Sequence, residues 1–215
     1  KKCVPKFDKG YTVNELIADE FNKMYGKHYE TIRSIAPYNS SCGTTPKEKF
    51  ILYQGAVNEG RCFETLIPAM KMVDAQLIIC GDGNFMNQAK QLVKDHQLQQ
   101  KVIFKGMLAP QELRSITNIA YIGTTLCEKD SLSTYYSLAN RFFDYLQSGT
   151  PQICVDFPVY NKLNNIYRVG VLVEDLSAEG LAASINNLLY DNQLWQELHE
   201  NCKKAALEWN WENEE

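Results

Sequence analysis

Six short apolar runs rich in Val and Ile, separated by stretches of helical periodicity, constrain the fold of this chain more than any other feature. The runs are Phe50–Gln54, Gln76–Cys80, Val102–Lys105, Ile119–Leu126, Gln152–Val155 and Gly170–Val173. Their length and composition predict strands buried on both faces. Between them, Phe63–Val73, Phe85–Asp95, Pro110–Thr117, Ala139–Ser148 and Leu181–Leu189 place apolar residues at helical spacing, and a last amphipathic helix is expected from Gln193 to about Trp209. This alternation predicts an α/β fold, a doubly wound parallel sheet of Rossmann-like type. Ligands of such sheets sit at the carboxyl ends of the strands. The loops Gly55–Arg61, Gly81–Asn84, Gly106–Ala109 and Glu128–Ser137 should therefore converge on one edge.

The first quarter of the chain has a different character. Thr12-Val13-Asn14-Glu15 reads as a capping box, followed by helical spacing of Val13, Leu16, Ile17, Phe21, Met24 and Tyr25 up to Gly26. A short strand is expected over Tyr29–Ile35, and Pro37–Lys49, rich in Ser, Thr, Gly and Pro, reads as a linker or hinge. Residues 1–46 are thus expected to be the end of one domain plus a hinge, and residues 47–215 a second domain. The chain opens at Lys1 without an initiator Met, so a preceding portion is expected.

Composition narrows the function. With 45% hydrophobic residues the chain can build a proper core, and a net charge of −4 without a basic run argues against nucleic acid as partner. The seven cysteines are odd in number and show no C-x-x-C spacing, which suits reduced thiols in the cytoplasm. His28, His96 and His199 are far apart and on polar stretches, so no metal site is expected. No apolar run has the length of a membrane span.

The richest candidate stretch runs from Ser137 to Pro151. Ser137 is a good N-cap, and the free N–H groups after it, at Leu138, Asn140 and Arg141, would meet a diphosphate at the positive end of a helix. Asp144 follows about two turns, or roughly 10 Å, further along the same face, where a carboxylate suits ribose hydroxyls. The same pattern also suits a core-packed helix whose Asp and Arg are merely solvated. Arg61, just past a buried strand, could neutralise a diphosphate at the sheet edge or be a plain surface charge. Gly81-Asp-Gly83 does not make a dinucleotide fingerprint, because Met86 stands at the third small position. Gly55, Gly81 and Gly83 instead allow tight turns that a ligand can approach, and a purely structural role for the last two is an equal reading.

Taken together, Phe50-Ile-Leu-Tyr-Gln-Gly-Ala-Val-Asn-Glu-Gly-Arg61, Ile78-Ile-Cys-Gly-Asp-Gly83, Val102-Ile-Phe-Lys-Gly106, Ala109-Pro-Gln-Glu-Leu113 and the block Ser137–Pro151 resemble the carboxy-terminal, donor-binding domain of GT-B glycosyltransferases of the large retaining family 4. The resemblance covers about Lys47 to Glu215. It implies half of a GT-B fold, with Arg61 on the donor diphosphate, Met107 and Leu108 lining the base, and Asp144 at the second Glu of the family's E-x7-E motif, the ribose binder. Two positions depart from the pattern: Tyr136 replaces the first Glu, and Ala56 stands where an Arg often follows the strand glycine. Asn140 and Arg141 resemble a subgroup of bacterial polysaccharide glycosyltransferases. The implied donor is a UDP-, GDP- or ADP-sugar, with no cofactor. The acceptor would be a glycan or lipid-linked molecule met through the amino-terminal domain, and peripheral membrane association of the full-length protein would fit such an acceptor. A catalytically silent nucleotide-sugar-binding module, and a nucleotide-sugar epimerase or phosphosugar enzyme on a similar sheet, are the alternatives.

Overall fold

The computed structural model describes residues 3–214. Its centre is a parallel sheet of six strands, β3 (Glu48–Gln54), β4 (Gln76–Cys80), β5 (Val102–Gly106), β6 (Ala120–Thr125), β7 (Gln152–Val155) and β8 (Gly170–Val173). They lie in the order β5-β4-β3-β6-β7-β8, a doubly wound arrangement that reverses direction between β3 and β6. The apolar run Phe50–Gln54 of β3 and all of β6 and β7 are buried, and β4 is buried apart from exposed Gln76 and half-buried Ile78. β5 and β8 are the edges and expose part of their residues, which corrects the expectation that all six are covered on both faces.

Helices cover the sheet: α2 (Phe63–Ala69), α3 (Met86–Asp95), α4 (Pro110–Ile119), α6 (Asn140–Gln147), α7 (Pro158–Ile166), α8 (Ala178–Tyr190) and α9 (Asn192–Glu208), with a four-residue turn of helix at α5 (Leu132–Tyr135) and another at α10 (Trp211–Glu214). The periodicity had not indicated α5, α7 or α10. The first and last are too short for a repeat to register, and Pro158 opens α7 as its first residue, a position that reads equally as a turn. His199 also departs from expectation. It is buried on α9, with its ring stacked on Trp195 and Nδ1 2.6 Å from the Gly149 carbonyl.

α6 is set at a fixed depth against β3. The Tyr145 hydroxyl accepts from the Gln54 N–H (3.2 Å) and donates to the Leu52 carbonyl (3.0 Å), while its ring lies over Gly123, where a Cβ would stand 2.5 Å from ring carbons. Only glycine leaves room for that ring on β6.

Ahead of the sheet, β1 (Tyr11–Thr12) pairs in parallel with β2 (Glu30–Thr31) and flanks α1 (Glu15–Tyr25). The cap of α1 is Asn14, whose side chain accepts from the Ile17 N–H, rather than Thr12 as the capping-box reading had it. Thr12 is held instead in β1, and its hydroxyl donates to the Asn14 carbonyl. Gly26 closes the helix in the left-handed conformation. The expected strand over Tyr29–Ile35 shrinks to two residues, because β1 offers only two partners.

Candidate functional site

The strand ends meet the loops in a cleft with two arms joined at Gln54 and Asp144. One arm, about 420 Å³, is lined by Gly55, Ala56, Arg61, Ser137–Arg141 and Leu113; the other, about 290 Å³, runs between α4 and α6 beneath Ala36–Ser40. Gln54 is the buried last residue of β3. Its Nε2 donates to Asp144 Oδ2 (2.8 Å), and its Oε1 accepts from the Thr117 hydroxyl of α4 (2.7 Å). That chain fixes the amide orientation and commits one carboxylate oxygen to the protein. Burial pushes the Asp144 carboxyl up from 3.8 to about 6, against the lowering effect of the Gln54 amide and of the charges on Arg114 and Arg141.

Arg141, the second residue of α6, is buried beneath the first arm. Its guanidinium lies 4.7 Å from the centre of the Tyr53 ring, and Nη1 donates to the Gln54 carbonyl (3.0 Å). Its Nε is buried with no partner. An incompletely paired buried cation is costly, and since Arg141 lines the first arm an anion there would complement the charge of the guanidinium as a whole, Nε itself being sealed from the cleft. Gly55, in the positive-φ region at +121°, lies close above: a Cβ there would stand 3.1 Å from Arg141 Nη1.

Ser137 does not cap α6. The last turn of α5 draws the Ser137 N–H onto the Thr134 carbonyl (3.0 Å), the chain runs on extended, and Ala139 takes the cap position without a side-chain bond. The helix therefore begins at Asn140, and its first two N–H groups, at Asn140 and Arg141, lie at the helix positions that find no partner within a helix. The Ala139 N–H is taken by the Tyr160 hydroxyl (2.9 Å). Asp144 consequently lies one turn into α6, closer to the helix start than the spacing from Ser137 suggested.

Of the candidate residues, Gly55, Arg61, Ser137, Leu138, Asn140, Arg141 and Asp144 line the first arm. Gly81 and Gly83 do not. Gly81, at φ +141°, packs so closely on Gly55 that a Cβ would fall 1.9 Å from its carbonyl oxygen, and a Cβ on Gly83 would fall 2.4 Å from the Val57 carbonyl. Both serve the turn. Met107 and Leu108 also stay outside the two arms: Met107 is 77% exposed, and Leu108 packs on the small cluster around Leu52 and Tyr145. The sequence reading missed Gln54, Thr117 and Tyr160. A glutamine ending an otherwise apolar, buried strand was the signal for the first; the others show only through tertiary contacts.

Residues 39–209 match the family model for glycosyl transferases group 1. The chain belongs to that family. An alpha-monoglucosyldiacylglycerol synthase of Streptococcus pneumoniae is 28% identical over 140 residues, which cover 62% of this chain and 30% of the relative. An uncharacterized glycosyltransferase of Methanocaldococcus jannaschii is 22% identical over 181 residues, covering 82% of this chain and 45% of the relative. The chain thus spans less than half the length of either. Among solved structures, the pneumococcal O-GlcNAc transferase GtfA in complex with UDP and GlcNAc superposes with a TM-score of 0.75 at 16% identity, over 100% of this chain and 45% of that one. Anabaena HepE in complex with UDP and glucose gives 0.77 at 14%, over 97% and 61%. At such identities the likeness speaks to the fold, which is that of part of a GT-B glycosyltransferase.

Proposed function

We propose that this chain is the carboxy-terminal, donor-binding portion of a retaining glycosyltransferase of the family 4 type, and that it holds the UDP part of a UDP-sugar. The observation that carries the reading is Arg141, a buried guanidinium with an unpaired Nε in a cleft at the carboxyl ends of the strands of a group 1 glycosyltransferase domain. The diphosphate lies along the first arm, against Arg61, Arg141 and the N–H groups at the start of α6. The ribose hydroxyls donate to Asp144 Oδ1, the oxygen that Gln54 leaves open. UDP is preferred over GDP and ADP because similar folds carry it in GtfA and HepE.

In that arrangement the chain acts on the leaving group. As the bond between sugar and diphosphate breaks, negative charge grows on the departing phosphate oxygens, and the two guanidinium groups and the helix start stabilise it. The acceptor, a glycan or a lipid-linked molecule, is met by the amino-terminal domain of the whole enzyme. Family membership favours this reading over an epimerase or phosphosugar enzyme.

Titration calorimetry with UDP, GDP, ADP and uridine tests it. The expected result is weak UDP binding, on the order of 0.1–1 mM, without sugar transfer by this chain alone. Arg61→Ala should weaken UDP by about 1.5–3 kcal/mol and leave uridine nearly unchanged, with Arg61→Lys recovering part of the loss. No UDP binding would overturn the donor reading, and transfer by this chain alone would overturn the two-domain one.

A further inference from the structure

The loop Tyr136–Ala139 presents the start of α6 to the cleft, and its own polar groups are anchored from two sides. On one side the Tyr160 hydroxyl of α7 takes the Ala139 N–H. On the other, the Tyr136 carbonyl accepts from Asn14 Nδ2 at 2.7 Å, across 122 positions of sequence. Asn14 is buried, and both ends of its amide are in use: Oδ1 caps α1 through the Ile17 N–H (3.1 Å), so Nδ2 is left facing Tyr136. A second link runs in parallel, since Lys162 of α7 pairs with Glu15, the first residue of α1.

An N-cap needs only an acceptor, and Asp or Ser serves there as well as Asn. The donor half of Asn14 is thus surplus to the helix it caps. Together with the Thr134 carbonyl, which takes the Ser137 N–H, it holds the peptide between Tyr136 and Ser137, from which the chain runs through Leu138 to the start of α6. We propose that Asn14 is a positioning residue, by which the segment ahead of the sheet holds the diphosphate loop in its binding geometry. The inference rests on the donor reading above and adds a dependence of phosphate recognition on α1.

The test uses Asn14→Asp and Asn14→Ser in the full chain, with UDP and uridine titrations followed by chemical shift and with thermal unfolding alongside. Both variants keep a capping oxygen and lose Nδ2, the arm of the amide that faces the Tyr136 carbonyl. UDP affinity should fall about 3- to 10-fold in each, as for one lost hydrogen bond. Uridine affinity should stay near wild type, and the ratio of UDP to uridine affinity decides the test, because the stranded Tyr136 carbonyl lowers the midpoint under either reading. A purely structural Asn14 would lower the midpoint with the ratio of UDP to uridine affinity unchanged, and that result would overturn the proposal. The Ser variant keeps the test readable if the new carboxylate of the Asp variant, set against the Tyr136 carbonyl, prevents folding. Failure of the wild-type chain to bind UDP would defeat the donor reading first and this inference with it, whereas wild-type binding with an unaltered ratio would defeat this inference alone.

Discussion

Each end of the sheet holds a cation, half-buried Lys47 at one and buried Arg141 at the other, and the two are treated in opposite ways. At the amino ends of the strands, Lys47 Nζ donates to the Asn118 carbonyl (2.8 Å), the Ser148 carbonyl (2.7 Å) and Thr150 Oγ1 (2.8 Å), which uses all three of its hydrogens. Around it Tyr121, Trp195 and His199 stack in sequence, and the Trp195 indole N–H is bonded to the Tyr121 carbonyl. At the carboxyl ends Arg141 has one bond to the Gln54 carbonyl and a bare Nε. A surface hollow exists at both ends, so concavity does not separate them. Satisfaction does: a cation with all its hydrogens bonded ties a fold together, and an unsaturated one awaits a partner.

Removing each cation sharpens the contrast. Lys47→Met should cost about 3 kcal/mol of stability in urea unfolding, because three part-buried acceptors lose their donor, and should leave UDP affinity unchanged for the folded protein. Arg141→Met should do the reverse. UDP affinity should drop by about 2 kcal/mol in calorimetry while stability moves by less than about 1 kcal/mol, since an apolar chain of similar length relieves an unpaired buried charge. If both substitutions shift stability alone, the carboxyl end is no more a site than the amino end.

Asp144 gives the smallest effect, and its size depends on pH. Its carboxyl titrates near 6 when folded, against 3.8 as the reference, so its burial favours the protonated form. That contribution to stability is full below pH 3.8 and is lost as pH rises through 6. Asp144→Asn should therefore stabilise the chain by about 1–2 kcal/mol at pH 8, with the gain fading towards pH 4. Denaturation midpoints at both pH values decide it. A gain independent of pH would mean that the carboxylate is not strained by burial.

Much of this was legible beforehand. The strands announced themselves because buried parallel strands are continuous apolar runs, and Gln76–Cys80, Gln152–Val155 and Gly170–Val173 agree to the residue. The site was half legible. Arg61, Arg141 and Asp144 could be picked out as charges beside apolar elements, but which of them is buried depends on packing that no local pattern carries. Ser137 misled because its fitness as a cap is local, whereas the short α5 that ends just before it depends on Ser131 capping Thr134 and on Tyr135 packing against Phe157. Gln54 escaped because its role exists only once α4 and α6 are placed on either side.

The Tyr145 hydroxyl threaded into the backbone of β3 bears on how such a domain can diversify. Helix and strand are pegged together one residue from Asp144, and the peg needs the bare backbone of Gly123. Changes in the exposed loop at Met107 can therefore leave the depth of α6 undisturbed. Substitution at Gly123 would lift the ring, slide α6 and forfeit every contact that depends on it at once. Variation in ligand choice should accordingly collect in the loops and leave this joint untouched.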